Sequence, residues 1–186
     1  SIYALGKNVS QTPAQIIETI KEAIRQSPTA FNSQTVRAVI TFGENSDRVW
    51  DIVEAELKKV TPADRFPATQ EKIASFRAGF GTILYFTETQ TVHKLEADFP
   101  LYAANFANCA EQGLGGAQQA VWTALAAENI GASLQHYNPL IDENIKEAFD
   151  IPESWDLRAQ MRFGSIEAPA GEKEFLPDDV RFKIFE

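Results

Sequence analysis

Two short polar runs carry side chains suited to holding a small organic ligand. The first is Asn32-Ser33-Gln34, three amide or hydroxyl groups in a row. Such groups donate to and accept from the edge of a planar heterocycle or a polyol. The second is Gln135-His136-Tyr137-Asn138, which follows Gly131-Ala-Ser-Leu. Polar runs at element ends are where ligand contacts concentrate. Taken alone, these residues suit a ligand contact and a hydrogen-bonded turn equally.

Other chemistries have less support. Cys109 is the single cysteine, so the chain has no internal disulfide and no site built on several thiolates. It sits among alanines and reads as a small buried hydrophobe. His93 falls in a charged segment and reads as a solvated surface residue. Two histidines at unrelated spacing do not make a metal centre, so no metal site is expected. Gly113-Leu-Gly115-Gly116 lacks the G-x-G-x-x-G spacing and reads as a helix bend or loop. No G-x-S-x-G elbow is present, which leaves a serine nucleophile without support. No side chain is assigned as catalytic acid, base or nucleophile.

The elements that must position the polar runs follow from periodicity and punctuation. Thr12-Pro13 reads as an N-cap and first helical residue, with Ile16, Ile17, Ile20, Ala23 and Ile24 on one face up to Ser27-Pro28. A strand is expected over 36–42. A helix follows, capped by Ser46, with Val49, Trp50, Ile52, Val53 and Leu57 as its apolar face. Residues 68–78 read as helix, and 82–86 as a strand apolar enough to be central in its sheet. Residues 101–128 read as two helices or one long bent helix, closed by Gly131 as a C-cap. Further expectations are a short strand or loop from Leu134 to Tyr137, a helix over 141–149 and a strand over 158–166. Val180, Phe182 and Ile184 form an apolar strand pattern near the end of the chain. The fold class is α+β, a small sheet covered by helices.

Composition bounds the function. The 186 residues include 17 basic and 26 acidic side chains, a net charge of -9. That argues against nucleic acid or an anionic membrane as the main partner. No stretch of about 20 apolar residues is present to span a bilayer, and no signal peptide opens the chain. One domain, cytoplasmic, is the expectation.

Combined in order, several segments resemble the FMN-dependent nitroreductase family, in its short branch of copper-induced and fatty-acid-repression types. They are Ser1-Ile-Tyr3, Ser27-Pro-Thr-Ala-Phe-Asn-Ser-Gln34 with Arg37, Gly81-Thr-Ile-Leu-Tyr-Phe86 and Ala120-Val-Trp-Thr-Ala-Leu125. Gly131-Ala-Ser-Leu-Gln-His-Tyr-Asn-Pro139 and Phe163-Gly164 follow, then Pro169 and Lys173. The resemblance implies a nitroreductase-like sandwich with a mostly antiparallel central sheet, in an intertwined homodimer. Two FMN molecules are then shared between the subunits, and residues from about 170 to 186 form an arm on the partner.

The same resemblance implies the FMN contacts. Ser1 matches the last member of an opening basic-basic-Ser/Thr motif for phosphate and ribityl, whose basic pair falls upstream of residue 1. Tyr3 stands where many relatives carry a basic residue near the pyrimidine ring. Thr29, Asn32 and Gln34 match a loop that reaches the flavin partly from the second subunit. Lys72 matches a basic residue at the pyrimidine edge. Leu134, Gln135 and His136 match the segment along the flavin face and N5 edge, and Lys173 matches a late phosphate ligand. The implied activity is NAD(P)H-dependent, ping-pong reduction of a nitroaromatic or quinone. A flavin-binding regulatory or stress-response module with little turnover is the alternative.

Overall fold

The computed structural model describes residues 1–186. Thr12 opens the first helix, α1 (Pro13–Gln26), with a reciprocal cap. Its main-chain N–H donates to the Gln15 side chain at 2.9 Å, and its hydroxyl accepts from the Gln15 N–H at 3.3 Å. Each bond satisfies a donor that a helix start leaves open. Ile16 and Ile20 are buried by this helix.

Five strands form one sheet: β1 (Leu5–Gly6), β2 (Val36–Phe42), β3 (Gly81–Glu88), β4 (Ile130–Gln135) and β5 (Trp155–Ile166). Every pairing is antiparallel. β3 lies between β2 and β5, and all eight of its residues are buried. β4 pairs with the other side of β5, so β2 and β4 are the two edges. β1 pairs only with Ser165 and Ile166 at the end of β5.

Helices cover both faces. One face sets Ile83, Tyr85, Ala159, Met161 and Phe163 against α1 and the long helix α5 (Ala103–Ala127). The other sets Leu84, Phe86 and Leu157 against α2 (Gly43–Val60), α3 (Phe66–Arg77) and α6 (Asp142–Phe149). The last two helices are α4 (Thr89–Asp98) and a single turn, α7 (Asp178–Arg181). The expected α+β sandwich is the fold observed.

Several local expectations are corrected. Residues 103–127 are one uninterrupted helix despite three glycines. At Gly113 a Cβ would stand 3.2 Å from Thr29 Cγ2, so the missing side chain admits the 27–34 segment. Gly131 caps no helix; Asn129 takes the left-handed conformation instead, at φ 61°. Gly131 lies within β4, where Leu5, Ile166 and Ile2 fill the space a Cβ would need. Ser46 lies inside α2 and shares a 2.8 Å hydrogen bond with the Thr82 hydroxyl, to which Trp50 Nε1 also donates at 2.9 Å. Cys109 is half-buried rather than buried. Val180, Phe182 and Ile184 are exposed and form no strand, because no edge of the chain's own sheet lies beside them.

Candidate functional site

β5 carries two buried polar side chains on the face toward α3, Gln160 and Arg162. Arg162 is 1% exposed and ties three segments together. Its Nε donates to Ser133 Oγ of β4 at 2.7 Å. Nη1 donates to the Ser75 carbonyl of α3 at 3.0 Å, and Nη2 to the Tyr3 carbonyl at 2.7 Å. The guanidinium also lies over the Phe76 ring, 4.4 Å from its centroid. Burial pushes its pKa down to about 10.

That junction gathers six of the ten expected ligand contacts. Tyr3 is exposed and contributes its carbonyl. Ser1 precedes Ile2, whose N–H donates to the Ala132 carbonyl of β4 at 3.0 Å. Lys72 sits one turn before Phe76, with Nζ 5.8 Å from the same ring. Leu134 and Gln135 follow Ser133 on β4, and exposed His136 leaves the strand. Gln160 Oε1 accepts from the Tyr137 N–H at 2.8 Å and fixes this exit. Its Nε2, like Asn138 Oδ1, is buried without a partner. Burial raises the Tyr137 phenol pKa, against an opposing pull from Arg162.

Thr29, Asn32 and Gln34 form a second group. The Gln34 N–H donates to Thr29 Oγ1 at 3.0 Å, and Arg37 Nη1 donates to the Gln34 carbonyl at 2.6 Å. Phe31, Asn32 and Gln34 all have left-handed backbones, at φ 57°, 48° and 50°. Left-handed backbone costs a residue with a Cβ roughly 1–2 kcal/mol. Three such residues in four positions point to a shape retained for function. The three contact residues and Arg37 line a cavity of about 210 Å³.

The two groups stand at opposite edges of the sheet. The 29–34 segment leads into β2, and Leu134–His136 end β4, with β3 and β5 between them. Across the sheet alone, three strand spacings amount to about 14 Å. Lys173 joins neither group; its Nζ lies 5.3 Å from the exposed Phe175 ring. A separate cavity of about 340 Å³ lies between α4 and α5, where Arg158 pairs with Glu111 at 3.0 Å.

Sequence reading missed Arg162 and Gln160. The signal was their alternation with Ala159, Met161 and Phe163 in one strand, which puts a cation and an amide on one buried face. The resulting site offers cationic and amide donors, aromatic walls and no paired acid and base.

The Nitroreductase family model matches residues 1–165. The HBN1 protein of Saccharomyces cerevisiae is 42% identical over 183 residues, 97% of this chain and 90% of that protein. The nitroreductase FRM2 of the same yeast is 34% identical over 178 residues, 95% of this chain and 88% of that protein. Among solved structures, the nitroreductase CinD of Lactococcus lactis in complex with nicotinic acid superposes with a TM-score of 0.94 at 53% identity. The same protein in complex with 4-nitrophenol gives 0.91 at 52%; each covers 100% of this chain and 95% of CinD. On these matches the chain belongs to the nitroreductase family and is an oxidoreductase of that type.

Proposed function

We propose that this protein is an FMN-dependent NAD(P)H oxidoreductase that reduces nitroaromatics, quinones or both, and works as a homodimer. The observation that carries the reading is the unneutralised cation Arg162, set among the segments bearing Tyr3, Lys72 and Leu134–His136. A buried guanidinium without a counter-charge suits a ligand that brings negative charge. The buried, unpartnered Gln160 Nε2 beside the same strand exit fits a polar heterocycle edge. The donor set therefore fits FMN.

When bound, FMN accepts hydride from a reduced nicotinamide and passes the electrons to the acceptor. The chain's own residues bind and orient. Lys72 addresses the pyrimidine edge, Leu134, Gln135 and His136 the ring face and N5 edge, and Ser1 and Lys173 the phosphate. Donor and acceptor take turns in one cleft, so the kinetics are ping-pong. Complexes of CinD with 4-nitrophenol and nicotinic acid support a cleft of this kind for flat rings.

Two-chain construction explains the second group. Thr29, Asn32 and Gln34 stand at the far edge of their own sheet and complete the partner's site. Gly115 and Gly116 on α5 have open space where a Cβ would be, so their own chain gains nothing from them. Mid-helix glycine costs about 1 kcal/mol relative to alanine, an expense that a closely approaching partner helix offsets. Phe175, Leu176, Ile184 and Phe185 are more than 60% exposed and suit an arm, about 170–186, that packs on the second subunit.

The test is an absorbance spectrum with a sizing run. Purified protein reconstituted with FMN is expected to elute at twice the 20.7 kDa chain mass. Its flavin band should bleach with NADH or NADPH and recover with a nitroaromatic or quinone, giving parallel double-reciprocal plots. Protein that binds no FMN, or holds it without bleaching, overturns the reading.

A further inference from the structure

Arg162 is the one basic side chain of this protein that is fully buried. Arg25, Arg77 and Arg158 pair with carboxylates, whereas Arg162 has none. Its partners are a hydroxyl, two main-chain carbonyls and an aromatic face. These satisfy donors without cancelling the charge. Removing a cation from water costs several kcal/mol unless an anion compensates. A fold that maintains such a charge at the meeting point of its candidate ligand-binding segments invites an anion from outside.

Position 3 sharpens the argument. Tyr3 is uncharged, and its carbonyl, not its side chain, receives Nη2 of Arg162. The buried positive charge of this region therefore comes from Arg162 on β5, beneath the N-terminal segment, and Lys72 on α3 adds an exposed one.

We infer that Arg162 is a positioning residue whose uncompensated charge stabilises reduced FMN relative to oxidised FMN. The inference rests on the flavin reading above. Hydride transfer delivers two electrons and one proton, oxidises the nicotinamide, and leaves one negative charge on the flavin. The guanidinium opposes that charge through the Tyr3–Ser75–Ser133 junction at no reorganisation cost, since its hydrogen bonds already hold it in place.

The experiment compares affinity of the apoprotein for oxidised FMN and for dithionite-reduced FMN under anaerobic conditions. The wild type is set against Arg162→Lys, Arg162→Gln and Arg162→Met. Methionine keeps an unbranched side chain against Phe76 without charge, and serves if the glutamine variant does not fold. The expected result is that the neutral variants weaken reduced FMN about ten-fold more than oxidised FMN, the size of one lost charge interaction. Arg162→Lys is expected to keep most of the preference. Equal weakening of both forms, or none, in the neutral variants overturns the inference and leaves the oxidoreductase reading standing. Wild-type protein that binds neither form overturns that reading itself.

Discussion

Glu88 closes β3 and caps α4: its Oε2 accepts the Thr91 N–H at 2.6 Å and its Oε1 the Gln90 N–H at 3.1 Å. Burial works to raise its pKa, yet hydrogen bonds from Thr91, Ser154 and Gln90 carry it below the usual carboxylate value. A depressed folded-state pKa adds stability above the unfolded value and loses it as pH falls through the folded one. Glu88→Ala is expected to cost about 1 kcal/mol at pH 7. In urea melts across pH, the gap between wild type and variant should narrow below about pH 4. A gap independent of pH contradicts the charged cap.

Gly164 faces the main chain on β5. A Cβ there would overlap the Gly6 carbonyl oxygen and stand 3.0 Å from Phe80 N. Backbone atoms cannot swing aside as side chains do. Gly164→Ala should destabilise the protein by about 2 kcal/mol or more, read from the denaturant midpoint. An unchanged midpoint would show that β1 can move away freely.

Gln34 holds a left-handed backbone at φ 50°. Glycine adopts it without steric cost. Gln34→Gly is expected to raise stability by up to about 1 kcal/mol while weakening FMN retention, since the amide is lost. A variant that is less stable argues that the Gln34 side chain supports the fold instead.

Lys173 is proposed to meet the FMN phosphate. Charge-assisted hydrogen bonds are worth about 1.5–3 kcal/mol, so Lys173→Ala should weaken FMN binding by roughly ten-fold to a hundred-fold. Riboflavin, which lacks the phosphate, should bind the variant and wild type alike. Equal losses for both ligands would place Lys173 elsewhere.

Deletion of residues 167–186 removes the exposed apolar tail. It leaves all five strands intact. The expected outcome is a folded chain by circular dichroism that shifts toward monomer in analytical ultracentrifugation. A truncated chain that remains fully dimeric denies the arm its role.

Much of the fold was legible in particular residues. Thr12 and Pro13 marked the start of α1. The unbroken apolar run 82–86 marked the central strand, because a strand buried on both faces has no polar side to alternate. The errors were local. Gly131 read as a helix stop because glycine commonly takes the left-handed position, but Asn129 takes it first. Glycines 113, 115 and 116 read as an interruption because propensity is counted per residue. Packing against α1 and the sheet outweighs it over 25 residues.

The candidate site was legible only in part. The ordered segments 27–34 and 131–139 carried the family, because residue type and spacing along the chain are what a sequence records. By itself the sequence determined the family, the α+β class and the poverty of metal and thiol ligands. Tertiary structure decided how the groups meet. Arg162 reaches partners 159, 87 and 29 residues away. Alternation along a strand tells which face a side chain takes, and nothing about what stands opposite. The separation of Gln34 from Gln135 follows in the same way from strand order, which long-range pairing energies select.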